Sequence, residues 1–134
     1  MKVILDTNVF ISGLFFSGPP YKILEAWRDG IIELVASPEI LEEYYRVGEI
    51  LAQDHPGIDL SSWFEYAIQR VVIFSTNPFI EPICDDPDDD KFLTCALASE
   101  CKIIVSGDKH LLRVSGFESI EIVRPREFFE KYLT

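Results

Sequence analysis

Five short apolar runs of largely β-branched character recur along this chain, and segments with helical spacing separate them. The runs are residues 2–5, 32–35, 71–74, 102–105 and 120–123. Such runs, with no polar alternation, read as strands buried on both faces, which is the habit of parallel sheets. The intervening segments predict helices over about 8–16, 21–29, 59–70 and 88–100. A long helix is expected from Ser37-Pro38, short helical turns near 108–113, and a last helix over about 125–132. Ser37 can cap its helix with Pro38 at the first helical position. Ser17-Gly18-Pro19-Pro20 reads as a break and His55-Pro56-Gly57 as a loop. Residues 77–87 read as irregular. Strands alternating with helices predict an α/β fold with a central parallel sheet and helices on both faces. There is no internal repeat or linker, so a single domain over 1–134 is expected.

Two of these runs end alike. Lys2-Val3-Ile4-Leu5 leads into Asp6-Thr7-Asn8, and Lys102-Ile103-Ile104-Val105 leads into Ser106-Gly107-Asp108. Ligands of open α/β sheets bind outside the carboxyl ends of the strands. A fold that sets these two strands side by side places both aspartates in one crevice. Buried like charges are costly unless a cation or a proton compensates. The plain structural alternatives are a helix cap for Asp6 and a turn residue for Asp108. Asn8 can continue the polar network of Asp6, and Ser106 can serve Asp108.

Two further acids sit on apolar helix faces. Glu43 lies three residues after Ile40, four before Val47 and seven before Ile50, whereas Glu42 shares the wet side with Glu39, Tyr45, Arg46 and Glu49. A carboxylate on an apolar stripe is costly unless a charged group meets it. Asp89 lies three residues before Phe92, four before Leu93 and seven before Ala96, in a helix expected to bury those residues and Leu97. Asp88 and Asp90 are expected on less apolar sides, and Asp86 is an accessory candidate. Acids at a helix N-terminus also complement the macrodipole, which accounts for the cluster as a group. Together, Asp6, Glu43, Asp89 and Asp108 can converge on one point. Oxygen-only ligands favour Mg²⁺ or Mn²⁺, and one or two such ions can activate water and stabilise charge on a phosphoryl group.

Composition narrows the alternatives. The formal net charge is −11, which argues against a sequence-reading nucleic-acid binder with a broad basic face. It does not exclude an enzyme acting on nucleic acid, because divalent ions invert the field of an acidic site. No apolar run approaches the roughly 18 residues that span a bilayer, and no signal peptide is evident. A cytoplasmic protein without a membrane partner is expected. The three cysteines, Cys84, Cys95 and Cys101, lack CxxC spacing and read as reduced apolar residues. His55 reads as a solvated loop residue. His110, close to Asp108, can touch a substrate phosphate. Phe10, Phe15, Phe16 and Trp27 can stack on bases, though core packing is the simpler role. No GxSxG, P-loop or GxGxxG motif is present.

With these residues in view, the chain resembles the PIN domain family of metal-dependent ribonucleases. The likeness runs from Val3 to about Phe129. It is carried by Ile4-Leu5-Asp6-Thr7-Asn8-Val9 and by Ser37-Pro38-Glu39-Ile40-Leu41-Glu42-Glu43-Tyr44. Asp86-Pro87-Asp88-Asp89-Asp90-Lys91-Phe92-Leu93 and Ile104-Val105-Ser106-Gly107-Asp108-Lys109 complete it. The nearest likeness is to prokaryotic members of toxin–antitoxin pairs, the VapC-like toxins. The resemblance implies a three-layer α/β/α sandwich with four acids gathered at one end, mapping onto Asp6, Glu43, Asp89 and Asp108. Asn8 and Ser106 are implied as supporting groups. It implies endonucleolytic hydrolysis of RNA with Mg²⁺ or Mn²⁺, a homodimer, and an antitoxin that reaches the acidic site. One departure stands out. Relatives often carry a second acid two positions after the last aspartate, where this chain has His110, which should weaken an accessory metal contact. The chain is also acidic, with Lys22, Lys91, Lys109 and Arg113 as its few expected phosphate contacts near the cleft, so tight RNA binding without metal is not expected.

Two other functions compete. A haloacid dehalogenase-like phosphatase needs DxD after the first strand, and position 8 is Asn. A phosphoacceptor receiver needs an aspartate at the end of a middle strand, which Leu34-Val35-Ala36-Ser37 lacks. A catalytically silent PIN-like scaffold that binds RNA or a protein is the non-enzymatic alternative.

Overall fold

The fold is organised around β1 (Lys2–Leu5), which occupies the middle of a five-stranded parallel sheet. β1 pairs on one side with β2 (Glu33–Ala36) and on the other with β4 (Ile103–Val105). β3 (Val72–Ile73) and β5 (Glu121–Val123) form the two edges, giving the order β3-β2-β1-β4-β5. The computed structural model describes residues 1–57, 59–79 and 81–134.

The order runs outward from β1 in both directions. Right-handed crossovers therefore carry the helices of the two directions over opposite faces. Helices α1 (Thr7–Phe15), α2 (Pro19–Arg28), α3 (Pro38–Ala52) and α4 (Leu60–Arg70) link β1 to β2 and β2 to β3. α5 (Asp90–Ser99) and the short α6 (Lys109–Leu112) serve the other direction, with α5 against β2 and β4. The last helix, α7 (Pro125–Tyr132), returns to pack on α2. The α/β class expected from the alternating pattern is thus the observed one. No helix among the described residues is long and apolar enough to cross a membrane.

The core follows from the strands. Val3, Ile4, Leu5, Leu34, Val35, Ile104 and Val105 are buried, as the apolar runs require. Ile23, Leu24 and Trp27 of α2 cover them from one side, and Phe92, Leu93 and Ala96 of α5 join the same core. Phe10 stacks on Tyr44 with ring centroids 4.2 Å apart, tying α1 to α3. Phe10 and Trp27 are therefore core residues, whereas Phe16 is exposed.

Several local expectations are corrected. The break after α1 is observed, but Pro19 and Pro20 already belong to α2, where proline's fixed φ and missing N–H fit the first turn. Gly18 makes that entry possible with φ 114°. On α3 the buried row is Ile40, Tyr44 and Gly48, and Ile50 is 60% exposed. On α5, Leu97 is exposed. His55 is not simply solvated: its Nδ1 lies 3.1 Å from the Leu51 carbonyl, and its ring sits between Phe15 and Phe16. Residues 77–79 and 81–86 form no regular element, as expected, and position 80 lies outside the described residues. The cysteines are buried and free. Burial pushes the Cys84 and Cys95 thiols up to about 12, which leaves them inert as nucleophiles.

Candidate active site

The register Leu5↔Val105 puts the carboxyl ends of β1 and β4 side by side. This is also where the strand order changes direction, the place where open α/β sheets form a ligand crevice. Asp6 follows β1 and Ser106 follows β4. The Asp6 N–H donates to the Val105 carbonyl at 2.9 Å, and the Ser106 N–H donates to Val123 at 2.9 Å. Both strand ends are thereby pinned to the sheet.

Asp6 is only 4% exposed. One oxygen, Oδ1, accepts from the Val9 N–H at 2.9 Å and so caps α1. The other, Oδ2, accepts a short hydrogen bond from Ser106 Oγ. Ser106 Oγ in turn accepts from the Asp108 N–H at 2.9 Å. Ser106 therefore links the two strand-end acids through one hydroxyl. Asp6 therefore caps α1 and stands at the crevice with one and the same carboxylate. Burial raises its pKa, the Ser106 and Val9 hydrogen bonds oppose the rise, and Asp108 and Glu43 add to it.

Glu43 enters from α3. Its Oε1 accepts from Thr7 Oγ1 at 2.7 Å, and its Oε2 meets the Lys91 ammonium in a close ion pair. The pair is largely buried, with side-chain exposures of 15% for Lys91 and 16% for Glu43. Lys91 also lies 3.2 Å from Asp88. The charged partner that an acid on an apolar stripe requires is thus Lys91, from a distant part of the chain.

Asp89 ends a 3₁₀ turn (Pro87–Asp89) that precedes α5. It is half-buried. Its carboxyl is pushed up to about 6, first by burial and then by the charges of Asp108, Asp86, Asp88 and Asp6. Asp90, expected on a less apolar side, is the more buried of the two. Its carboxylate accepts from the Ile83 N–H at 3.0 Å and the Cys84 N–H at 2.8 Å, and so clamps the preceding loop. Asp108 caps α6 by accepting from the His110 N–H at 2.7 Å. Asp86 is exposed and accepts from the Asp88 N–H at 3.0 Å.

The arrangement brings Asp89, Asp108 and His110 together, with one ligand atom from each within 4.8 Å of the others. Asp6 and Glu43 lie outside that group but inside its field, since the charge of Glu43 acts on Asp6 and that of Asp6 acts on Asp89. Clustered carboxylates whose charges raise the pKa values of Asp6 and Asp89, beside an imidazole, are a donor set that fits a divalent cation. Asn8 and Lys109 are exposed at the first turns of α1 and α6. Of the other expected phosphate contacts, Arg113 pairs with Asp85 at 2.9 Å and Lys22 sits over the Phe129 ring. A groove of about 600 Å³ runs beside Glu43, with Arg46, Phe79 and Lys91 in its walls.

Sequence reasoning missed Tyr44. It is fully buried, and its hydroxyl donates a short hydrogen bond to the Leu5 carbonyl, one residue before Asp6. A buried hydroxyl needs a partner, but nothing in the sequence names which carbonyl supplies it.

Comparison with known proteins agrees with this architecture. The PIN domain family model matches residues 2–110, a span that includes all four acids and His110. The chain is also 30% identical, over 148 aligned positions, to an uncharacterized protein of Methanocaldococcus jannaschii, with 98% of this chain and 92% of that protein covered. The chain belongs to the PIN domain family, and this membership points to a nuclease.

Proposed function

We propose that this chain is a divalent-metal-dependent endoribonuclease whose catalytic and metal-binding acids are Asp6, Glu43, Asp89 and Asp108. The observation that carries this reading is the convergence of Asp89, Asp108 and His110 within 4.8 Å at the crevice beside Asp6. Mg²⁺ or Mn²⁺ suits a centre rich in carboxylate oxygens. When bound, such an ion supplies activation of water and neutralisation of charge on a scissile phosphodiester.

The chain's own groups bind and orient. Asp89 and Asp108 offer carboxylate oxygens at the mouth of the crevice. Ser106 and the Val9 N–H hold Asp6 in one rotamer, so its charge faces the same point. Thr7 and Lys91 orient Glu43. Lys109, exposed beside Asp108, is suited to a backbone phosphate, and Lys91 reaches one by leaving Glu43. Asn8, Ser106 and Asp86 are the supporting polar groups. Arg46 and Phe79 in the adjoining groove offer a cation and a ring, which suit a single strand and one of its bases.

The toxin role, a cognate antitoxin that reaches the acidic site, a homodimer and a cytoplasmic location belong to the same proposal. They are supported by the likeness of the motifs to VapC-like toxins. Phe16 and Tyr21, exposed near the first two helices, give a dimer apolar surface to bury.

One observation favours a second reading, a scaffold without turnover: both Glu43 oxygens are engaged by Thr7 and Lys91. Incubating a mixed RNA pool with wild-type protein and Asp89→Asn, in Mn²⁺ and in EDTA, separates the two. Cutting by wild type with Mn²⁺ alone is the expected result. Metal binding without cutting would favour the scaffold, and undiminished cutting by Asp89→Asn would remove these acids from the mechanism.

A further inference from the structure

The donor atoms that converge most closely are not four oxygens. Asp6 and Glu43 each have both carboxylate oxygens accepting from protein donors. Asp89 and Asp108 instead share their approach with the ring of His110. The backbone places that ring. The hydrogen bond from the His110 N–H to Asp108 Oδ1, which caps α6, holds the Asp108 carboxylate next to residue 110. His110 Nδ1 lies 3.7 Å from Asp108 Oδ1. Donors that share one octahedral ion at about 2.1 Å stand about 3–4 Å apart. A small side-chain rotation therefore suffices to bring both onto one ion.

We propose that His110 is a metal ligand, so that the centre has a mixed nitrogen and oxygen donor set and prefers a first-row transition dication such as Mn²⁺ over Mg²⁺. This rests on the metal-centre reading above. Mg²⁺ is hard, keeps its water and favours oxygen, whereas an imidazole nitrogen adds affinity for transition ions. Histidine in place of an acid then preserves the accessory contact instead of weakening it. The contact keeps its position and changes its metal. His110 then meets the ion rather than a substrate phosphate, and Lys109 remains the phosphate contact.

The test is to titrate Mn²⁺ and Mg²⁺ calorimetrically into wild type, His110→Asp and His110→Ala, and to record the pulsed electron paramagnetic resonance spectrum of the Mn²⁺-loaded proteins. The wild-type spectrum should show nitrogen coupling, and His110→Ala should lose it. Disturbing an outer partner of a metal ligand already costs 10–100-fold in affinity, so losing a direct ligand in His110→Ala should weaken Mn²⁺ binding by at least about tenfold. His110→Asp should bind Mg²⁺ as well as or better than wild type, which lowers the Mn²⁺ preference. Mn²⁺ bound without nitrogen coupling, with the preference unchanged in both variants, would overturn the role of His110 and leave an acid-only centre standing. Absence of Mn²⁺ binding to wild type would overturn both proposals.

Discussion

At the scale of single residues, the acidic centre is held together against its own charge. Asp89 shows this most clearly, because burial and four neighbouring carboxylates push it from 3.8 up to about 6. A carboxyl whose pKa is higher in the folded state stabilises the fold below about pH 4 and loses that contribution as pH rises through about 6. The full shift corresponds to about 3 kcal/mol, and solvent screening of a half-buried group reduces this to about 1 kcal/mol. Asp89→Asn should therefore stabilise the metal-free protein by about 1 kcal/mol at pH 7 and by almost nothing at pH 4. Urea unfolding at the two pH values checks this, and equal gains at both would refute the electrostatic account. Tyr44 tests the scaffolding of the same site. Tyr44→Phe removes the donor to the Leu5 carbonyl inside a closed core and should cost about 1–2 kcal/mol in the same unfolding assay. A neutral result would mean that the carbonyl finds another donor.

At the scale of elements, the sequence was legible wherever one local rule governed. Ser37 caps α3 with Pro38 at its first position, as its residue types require. Asp6 and Asp108 cap the helices that follow β1 and β4, because a β-branched run followed by a capping acid has few other outcomes. Legibility failed where helical phase slipped. Extending the α5 period back through Asp89 assumed 3.6 residues per turn, but Pro87–Asp89 is a 3₁₀ turn with 3.0. The phase shift turns Asp90 inward to clamp the loop at Ile83 and Cys84. Ile50 falls outside the buried face of α3, because that face follows the four-residue row Ile40, Tyr44, Gly48. Lys91 as the partner of Glu43 was out of reach, because a pairing across 48 residues is set by the packing of α3 and α5. The end of α5 carries a separate prediction. Glu100 closes the helix in the left-handed region at φ 57°, where glycine is the relaxed choice. Glu100→Gly should raise stability by about 0.5–1 kcal/mol, the left-handed strain relieved less the added freedom of the unfolded chain. A fall in the unfolding midpoint would show that the Glu100 side chain contributes more than its backbone costs.

At the scale of the whole molecule, the sheet order and the net charge act together. Only an order that sets β1 beside β4 joins residues 100 apart, as Ser106 and Asp6 are joined. The strand pattern required a parallel sheet but did not dictate which strands neighbour β1. The resulting crevice lies in a chain of net charge −11, whose field repels a polyanion until cations enter. This reverses the usual salt dependence. A protein that binds RNA through a basic face loses affinity as monovalent salt rises, because binding releases counterions. Here, with EDTA present, added salt screens repulsion between two anions, with a Debye length that falls to about 8 Å at physiological ionic strength. RNA binding should thus be weak in EDTA and flat or slightly improved as salt increases. With Mn²⁺ it should strengthen, because the ion supplies the positive charge that the surface lacks. Anisotropy of a labelled, cleavage-resistant single-stranded RNA with wild-type protein measures both conditions. A steep loss of affinity with salt in EDTA would mean that RNA meets a cationic surface elsewhere on the chain, and the acidic crevice would no longer be where the strand is held.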